Sequence, residues 1–323
     1  MTPKQALFVD AWKRLGSPAL VATELGVGIR SVHEMRRRIE SQGCVLENFN
    51  DQSSRAKTRV INHEGKVELE IGTGSVIVFS DAHYYPGIIS TAHLGMLEVI
   101  KRIKPQAVIC NGDAFDGSTI SRHPRIGWDS KPTVAAELRA VGDRLDEVRL
   151  AAKKANGGCQ LMFPLGNHDA RYETFLAAAA PQYEGVKGFT LKDHFPHWKP
   201  CWSCWINDEV VVKHRWHNGI HATWNNTLKS GKTIVTGHLH QLKVTPFSDY
   251  NGLRYGVDSG TLADPYGPQF SDYTEGSPVN WWSGFVVLSF ANGKLLEPET
   301  VRKWDEDHIQ FRGQIIRVRS EAK

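Results

Sequence analysis

Five short apolar runs in this chain each end in residues that can offer nitrogen or oxygen to a metal ion. Residues 76–79 lead into Asp81-Ala82-His83, and residues 107–110 lead into Asn111-Gly112-Asp113. Residues 160–165 lead into Gly166-Asn167-His168-Asp169, residues 210–213 into His214, and residues 233–236 into Gly237-His238-Leu239-His240. Runs of this length and composition read as strands. Amide, imidazole and carboxylate groups are therefore collected at strand ends, the layout of a site. The donors hold no thiolate, so softness does not select zinc over manganese or iron.

Taken in order, Asp-x-His, Gly-Asp, Gly-Asn-His-Asp, His and Gly-His-x-His, spread over residues 74–262, resemble the calcineurin-like metallophosphoesterase superfamily. The resemblance implies an α/β fold, a sandwich of two mixed sheets flanked by helices, and metal-dependent hydrolysis of phosphoesters. Such cleavage at neutral pH needs a nucleophile made from water, neutralisation of charge on the phosphoryl oxygens and a proton for the leaving oxygen. Two divalent ions about 3.5–4 Å apart supply the first two needs.

By the same resemblance Asp113 bridges the two ions, Asp81, His83 and His240 hold one, and Asn167, His214 and His238 hold the other. Manganese is the expected metal, with iron, zinc or nickel as alternatives. His217 rivals His214, since either follows the strand, and the family position favours His214. His168 is then the proton donor to the leaving group or a stabiliser of developing charge. Asp169 is expected to hold the His168 ring through a hydrogen bond. Gly117 follows Gly112-Asp113-Ala114-Phe115-Asp116 where the protein Ser/Thr phosphatase branch carries a phosphate-gripping arginine. Arg122, Arg125 or Arg171 is the expected replacement.

The elements that position these residues follow from periodicity. Leu94, Leu97, Ile100 and Ile103 predict the inner face of a helix over 91–104, and a long amphipathic helix is predicted over 133–155. Val60-Ile61 and residues 67–71 suggest a hairpin ahead of the first ligand-bearing strand. Residues 172–205 are less regular, with Tyr172, Phe175, Trp198, Trp202 and Trp205 suggesting an aromatic cap.

Ahead of this domain, residues 4–15 place Leu7, Ala11 and Leu15 with Phe8 and Trp12 on one helical face. Pro18 opens a second helix, and a basic third helix runs from Ile29 to Glu40 after the turn Gly26-Val27-Gly28. These resemble a helix-turn-helix module in which Arg30, Ser31 and Arg37 face DNA and Arg36 and Arg38 lie near phosphates. The expected organisation is a helix-turn-helix-like domain over 1–45, a linker over 46–59 and the phosphoesterase domain over 60–323.

Composition is that of an ordinary globular chain of 323 residues, 41% hydrophobic and 23% charged. No run of eighteen apolar residues and no secretory signal pattern is present, so a cytoplasmic protein of a bacterial or phage-infected cell, without membrane contact, is expected. Five scattered cysteines do not suggest a disulfide framework. A net charge of +4 does not oppose a polyanionic partner. The pattern is also similar to phage and prophage phosphoesterases labelled exonuclease-like. The favoured function is a phosphodiesterase or nuclease acting on DNA. Alternatives are a small-molecule or nucleotide phosphodiesterase that uses the helical module for assembly, and a DNA-binding regulator with an inactive phosphoesterase fold.

Overall fold

Proline and glycine set the limits of the first three helices. The computed structural model describes residues 2–44, 46, 64–122 and 131–319, and the chain divides into two compact units, Met1–Ile61 and Asn62–Lys323. In the first unit α1 (Pro3–Leu15) begins with a capping box. The Thr2 hydroxyl accepts the Gln5 N–H, and the Gln5 side chain accepts the Thr2 N–H at 2.7 Å. Gly16 ends α1, α2 (Pro18–Leu25) has proline at its first position, and Gly26 ends it before α3 (Ile29–Glu40).

Phe8, Val9, Ala11, Trp12, Val21, Val32, Ile39 and Leu46 form the buried cluster of this unit. Leu7, expected inside, is 66% exposed. The stacked Phe8 and Trp12 rings, 5.7 Å apart, turn the inner face toward Gln5 and Val9 instead. Leu46, placed in the linker by sequence, packs with the helices; residues 47–59 lie outside the described residues. On α3, Arg30, Ser31, Arg37 and Arg38 are exposed. Arg36 is instead held within the unit, 2.7 Å from Glu40, donating to the Leu46 carbonyl and lying over the Trp12 ring.

The second unit runs β1 (Glu64–Leu69), β2 (Gly74–Phe79), α4 (Thr91–Ile103), β3 (Ala107–Cys110), α5 (Val134–Ala155), β4 (Gln160–Pro164), α6 (Asp169–Ala179) and α7 (Leu191–His194). It continues with β5 (Lys199–Ile206), β6 (Val210–Val212), α8 (Ala222–Ser230), β7 (Thr233–Thr236), β8 (Lys243–Asp249), β9 (Gly252–Asp258) and α9 (Ser271–Thr274). Last come β10 (Gly284–Ala291), β11 (Lys294–Leu295), β12 (Glu299–Lys303), β13 (His308–Phe311) and β14 (Gln314–Arg317). Strand pairing follows the order β14-β13-β12-β10-β2-β3-β4-β5-β6-β7-β9-β8, with β1 beside β5 and β11 beside β10.

Pairing is continuous, yet the sheet folds over itself at the short β4–β5 ladder. Val76, Val78, Ile109, Met162, Val286 and Leu288 from one half share a buried cluster with Cys201, Cys204, Ile206, Val210, Val212, Val235 and Val257 from the other. The alternate residues Ile77, Phe79, Val108, Cys110 and Phe163 pack against Met96, Val99 and Ile100 of α4 and Leu138, Val141, Leu145 and Val148 of α5. Strands with apolar side chains on both faces require cover on both sides. The result is the expected sandwich of mixed sheet layers flanked by helices.

Three sequence expectations are corrected. The inner face of α4 runs through Ala92, Met96, Val99 and Ile100, while Leu94, Leu97 and Ile103 are half-buried. β13 approaches the helix at Gly95, where an added Cβ would lie 2.5 Å from Ile309, so the face that carries Gly95 packs inward. β1 pairs in parallel with β5, so residues 67–69 do not form a local hairpin arm; Val60-Ile61 lie outside the described residues. Trp202 and Trp205 belong to β5, the strand joining the two layers, and not to an irregular cap.

Gly256 in β9 marks where α8 lies closest to the sheet, since an added Cβ would sit 1.9 Å from the Thr223 carbonyl oxygen. Gly256→Ala forces backbone apart, and overpacking of this kind costs about 1–3 kcal/mol. A melting temperature lowered by roughly 2–10 °C is expected. An unchanged melting curve would show that the helix can slide without strain.

Candidate metal centre

The residues at the strand ends occupy a backbone conformation that side chains other than glycine seldom adopt. Asp81, His83, Asp113, His238 and His240 have φ of 52°, 36°, 53°, 72° and 59°. Backbone hydrogen bonds tie these loops together: the Asp81 N–H donates to the Gly112 carbonyl at 2.9 Å, and the His83 N–H to Asp113 at 3.0 Å. Strain concentrated in this way is a mark of functional sites, because surrounding structure must hold it.

His83, Asp116 and His168 bring one ligand atom each within 4.8 Å of one another. Two more trios consist of the expected ligands alone: Asp81, His83 and His240, and Asp113, His214 and His238. Asp81 touches both: its Oδ1 is 3.1 Å from His240 Nε2, and its Oδ2 accepts the His238 N–H at 2.9 Å. Gly166 lies against Asp113, where an added Cβ would be 2.0 Å from Oδ1, so the loop that carries Asn167 passes beside that acid. Asn167 Oδ1 is buried and has no hydrogen-bond partner among the described residues.

The electrostatics of the cluster call for a cation. His214 Nδ1 is 2.8 Å from the Asn111 carbonyl, so that nitrogen carries a proton, and Nε2, 3.0 Å from Asp113 Oδ2, must carry a second proton or face a cation. A lone pair opposite a carboxylate is repulsive unless positive charge lies between them. Burial opposes charge on His214, but Asp113 and Asp81 outweigh it and pull its pKa up to about 10. His238 moves the other way, to about 4, through burial and then the neighbouring His214. A neutral imidazole, two buried carboxylates and an unpartnered amide oxygen fit a divalent ion of hard or intermediate character.

Asp169 does not hold the His168 ring. Its carboxylate accepts the N–H groups of Asp113, Phe115 and Gly166 at 2.7, 3.1 and 2.9 Å. It opens α6 and turns back beneath the loops, whose buried amides need acceptors. Burial and then the Asp113 charge push its pKa up to about 6.

The ring partner is Asp116, whose Oδ1 lies 2.9 Å from His168 Nδ1 and 3.0 Å from His83 Nδ1. Burial works against its charge, and hydrogen bonds with the two histidines hold it well below the usual carboxylate range. The sequence analysis assigns it no role. The signal was a second carboxylate three residues after Asp113, at the distance one turn of chain spans. Glu137 supports this loop by accepting the Gly117 N–H at 2.7 Å and the Ser118 hydroxyl at 3.0 Å; burial and Asp116 push its pKa up to about 7.

Of the three arginines expected to grip phosphate, Arg171 is brought to the centre, its Nη2 3.2 Å from His168 Nε2 and its Nη1 donating to the Asp116 carbonyl. Arg122 is exposed, and Arg125 lies outside the described residues. His214 reaches Asp113, whereas His217 stacks on Trp216 with ring centroids 4.9 Å apart.

The sequence model of the family described as Calcineurin-like phosphoesterase matches residues 74–307, which contain every residue of both trios. The chain belongs to this family. It is 25% identical over 155 residues to the Gene 54 protein of Mycobacterium phage L5, a match over 42% of this chain and 58% of that protein. To the Gene 54 protein of Mycobacterium phage D29 it is 23% identical over 220 residues, 61% of this chain and 82% of that protein. The chain thus spans little more than half the length of the L5 relative.

Among solved structures, it is similar to Vps29 from Entamoeba histolytica complexed with zinc, at 13% identity and TM-score 0.40, over 76% of this chain and 99% of that one. It is also similar to a dimetal phosphatase from Danio rerio, at 9% identity and TM-score 0.31, over 77% and 99%. Within the matched residues of this calcineurin-like phosphoesterase lie His and Asp clusters that could hold metal ions. Among the described residues, no helix is long and apolar enough to cross a membrane.

Asp116→Asn keeps the size of the side chain and removes the charge between His83 and His168. Loss of such a supporting carboxylate typically costs 10–100-fold in activity or metal affinity. We expect kcat to fall by about that factor on a phosphoester substrate while protein fold and melting are retained. Full activity in the variant would mean that His168 needs no such partner.

Proposed function

We propose that this phosphoesterase is a phosphodiesterase that cleaves DNA at a binuclear centre. The observation that carries the reading is the pair of trios, Asp81, His83 and His240 beside Asp113, His214 and His238, with Asp81 touching both. Asp81, His83 and His240 would hold one ion, Asn167, His214 and His238 the other, and Asp113 both. Two divalent ions, manganese first, would activate water and neutralise the phosphoryl oxygens.

The chain's own groups supply the rest. His168 donates a proton to the leaving oxygen, and Asp116 keeps its ring oriented and favours its protonated form. Burial opposes that form, but Asp113 and Asp116 raise the pKa of His168 nonetheless. Arg171, beside the same ring, takes a non-bridging phosphoryl oxygen by charge-assisted hydrogen bonds. Arg30, Ser31, Arg37 and Arg38, exposed on one helix, support DNA as the partner. Arg36, committed to Glu40 and Trp12, is left out of that set.

Metal analysis after loading with manganese should give two ions per chain. Single-stranded or duplex oligonucleotides should be cleaved. Changing Arg30, Arg37 and Arg38 together to Ala should weaken DNA binding and flatten its salt dependence, while affecting a small aryl phosphodiester far less. One ion at saturation would refute the binuclear reading, and DNA affinity identical to wild type would remove the helical module from substrate docking.

His168→Ala should lower turnover of DNA by roughly 10²–10⁴-fold, the usual size of a lost general acid. A nitrophenolate can leave as the anion, so the defect on a nitrophenyl diester should be much smaller. Equal losses on both substrates would instead assign His168 to stabilising phosphoryl charge, and loss of metal would make it a ligand.

A further inference from the structure

Two aromatic rings roof one side of the metal centre. Phe270 lies on His83 and His240 at centroid distances of 5.0 and 5.4 Å, and Trp281 lies 4.6 Å from His240. Asp81, His83 and His240 are all buried beneath them. Asn167 and His238 keep partial exposure, so the side they occupy is the one open to a phosphate.

The segment bordering that side follows His214 directly. Lys213 and Arg215 flank the histidine, Arg215 is exposed, and neither forms an ion pair with a carboxylate among the described residues. The Arg215 charge reaches His238, where it adds to burial and His214 in lowering that pKa. Trp216 is 41% exposed, although its ring stacks on His217 at an interplanar angle of 29°. Lys213 Nζ lies 5.8 Å from the same ring. His217 is fixed in turn, its N–H donating to Asn226 Oδ1 of α8 at 3.0 Å. A flat ring is thus held by a neighbouring ring and still offered to solvent, with Lys213 near it and Arg215 next to it in the chain, neither paired with an acid among the described residues.

We propose that Lys213, Arg215 and Trp216 form a docking rim for a single strand of nucleic acid. The cations take the phosphate next to the one being cleaved, and an unpaired base stacks on Trp216. Stacking of a base on an aromatic side chain contributes about 1–3 kcal/mol and tolerates any base, because every base has a π-face. Inside a duplex that face is covered by the neighbouring pair. The rim therefore selects single-stranded DNA or the frayed end of a duplex over a blunt one. This rests on the reading of the protein as a DNA phosphodiesterase and adds its strand preference.

The test measures kcat and KM of the full-length manganese enzyme on a single-stranded oligonucleotide, a blunt duplex of the same sequence and methyl p-nitrophenyl phosphate. Wild type should favour the single strand. Trp216→Ala should raise KM for that strand by about 5- to 100-fold, the range that stacking energies imply, with a smaller change in kcat. The loss should exceed that on the small ester by at least about fivefold, and Trp216→Phe should restore most of it. Arg215→Ala should weaken oligonucleotide binding and lower its salt dependence. Equal losses on oligonucleotide and ester would make the segment a mere support for His214 and overturn the proposal. Wild-type cleavage of oligonucleotides with unaltered variants would overturn the rim alone. A wild type that hydrolyses the ester and no oligonucleotide would overturn the DNA reading, and the rim with it.

Discussion

Asp81 and Asp113 are two carboxylates with almost no exposure, set within one cluster of histidines. Removing a carboxylate from water is expensive, and a second one nearby adds repulsion. Neither acid responds by taking up a proton: burial pushes toward neutrality, and the surrounding imidazoles hold both below the ordinary carboxylate range. Everything else about the centre serves that constraint. Amides are turned toward the acids, as when the His168 N–H donates to Asp113 Oδ1 at 2.8 Å and the His238 N–H donates to Asp81. Turning amides inward over so short a stretch is what forces the loops into left-handed backbone.

The glycines of the motifs follow from the same demand. Gly166 allows the backbone to touch the Asp113 carboxylate, and Gly237 allows it to touch Asp81, whose Oδ2 would be 2.5 Å from an added Cβ. Asp169 works one layer further out. By accepting three N–H groups it fixes the loop carrying Asp113 against the loop carrying Asn167, so that its contribution is to geometry and not to proton transfer. His168 is consequently free to be oriented from the opposite side by Asp116.

The candidate ligands were legible in the sequence because strand ends combine two signals, an apolar run and an abrupt change to coordinating side chains. The layered fold was legible only through the family resemblance, and the buried apolar runs of β2, β3 and β4 agree with it. What stayed hidden depends on tertiary contact. The roles of Asp116 and Asp169 could not be told apart from spacing, because each is a carboxylate near His168 and only the direction of α6 decides between them. The inner face of α4 includes Gly95, which lies against Ile309, more than two hundred residues away in the chain. β1 looked like half of a hairpin because its actual partner, β5, lies beyond three other strands in sequence. The Arg215-Trp216 pair carries no signal by itself; its meaning comes from the rings that close the other side.

The energetic weight of the centre bears on how the fold must be built. Strained backbone costs about 1–3 kcal/mol per residue, and five such residues together rival the whole stability of an ordinary domain, about 5–15 kcal/mol. The strain is borne by strands whose opposite ends are locked in a core closed on both faces, with Val76, Ile77, Val78 and Phe79 all fully buried. A ligand ion binds the folded arrangement and not the dispersed side chains of the unfolded chain, so its affinity adds directly to folding stability. The carboxylates that make the empty cluster costly are therefore the same groups that make the loaded one stable. In this protein the hydrophobic sandwich and the charged centre stand in one relation: the first supplies the rigidity to hold like charges together, and the second turns that rigidity into affinity for a cation.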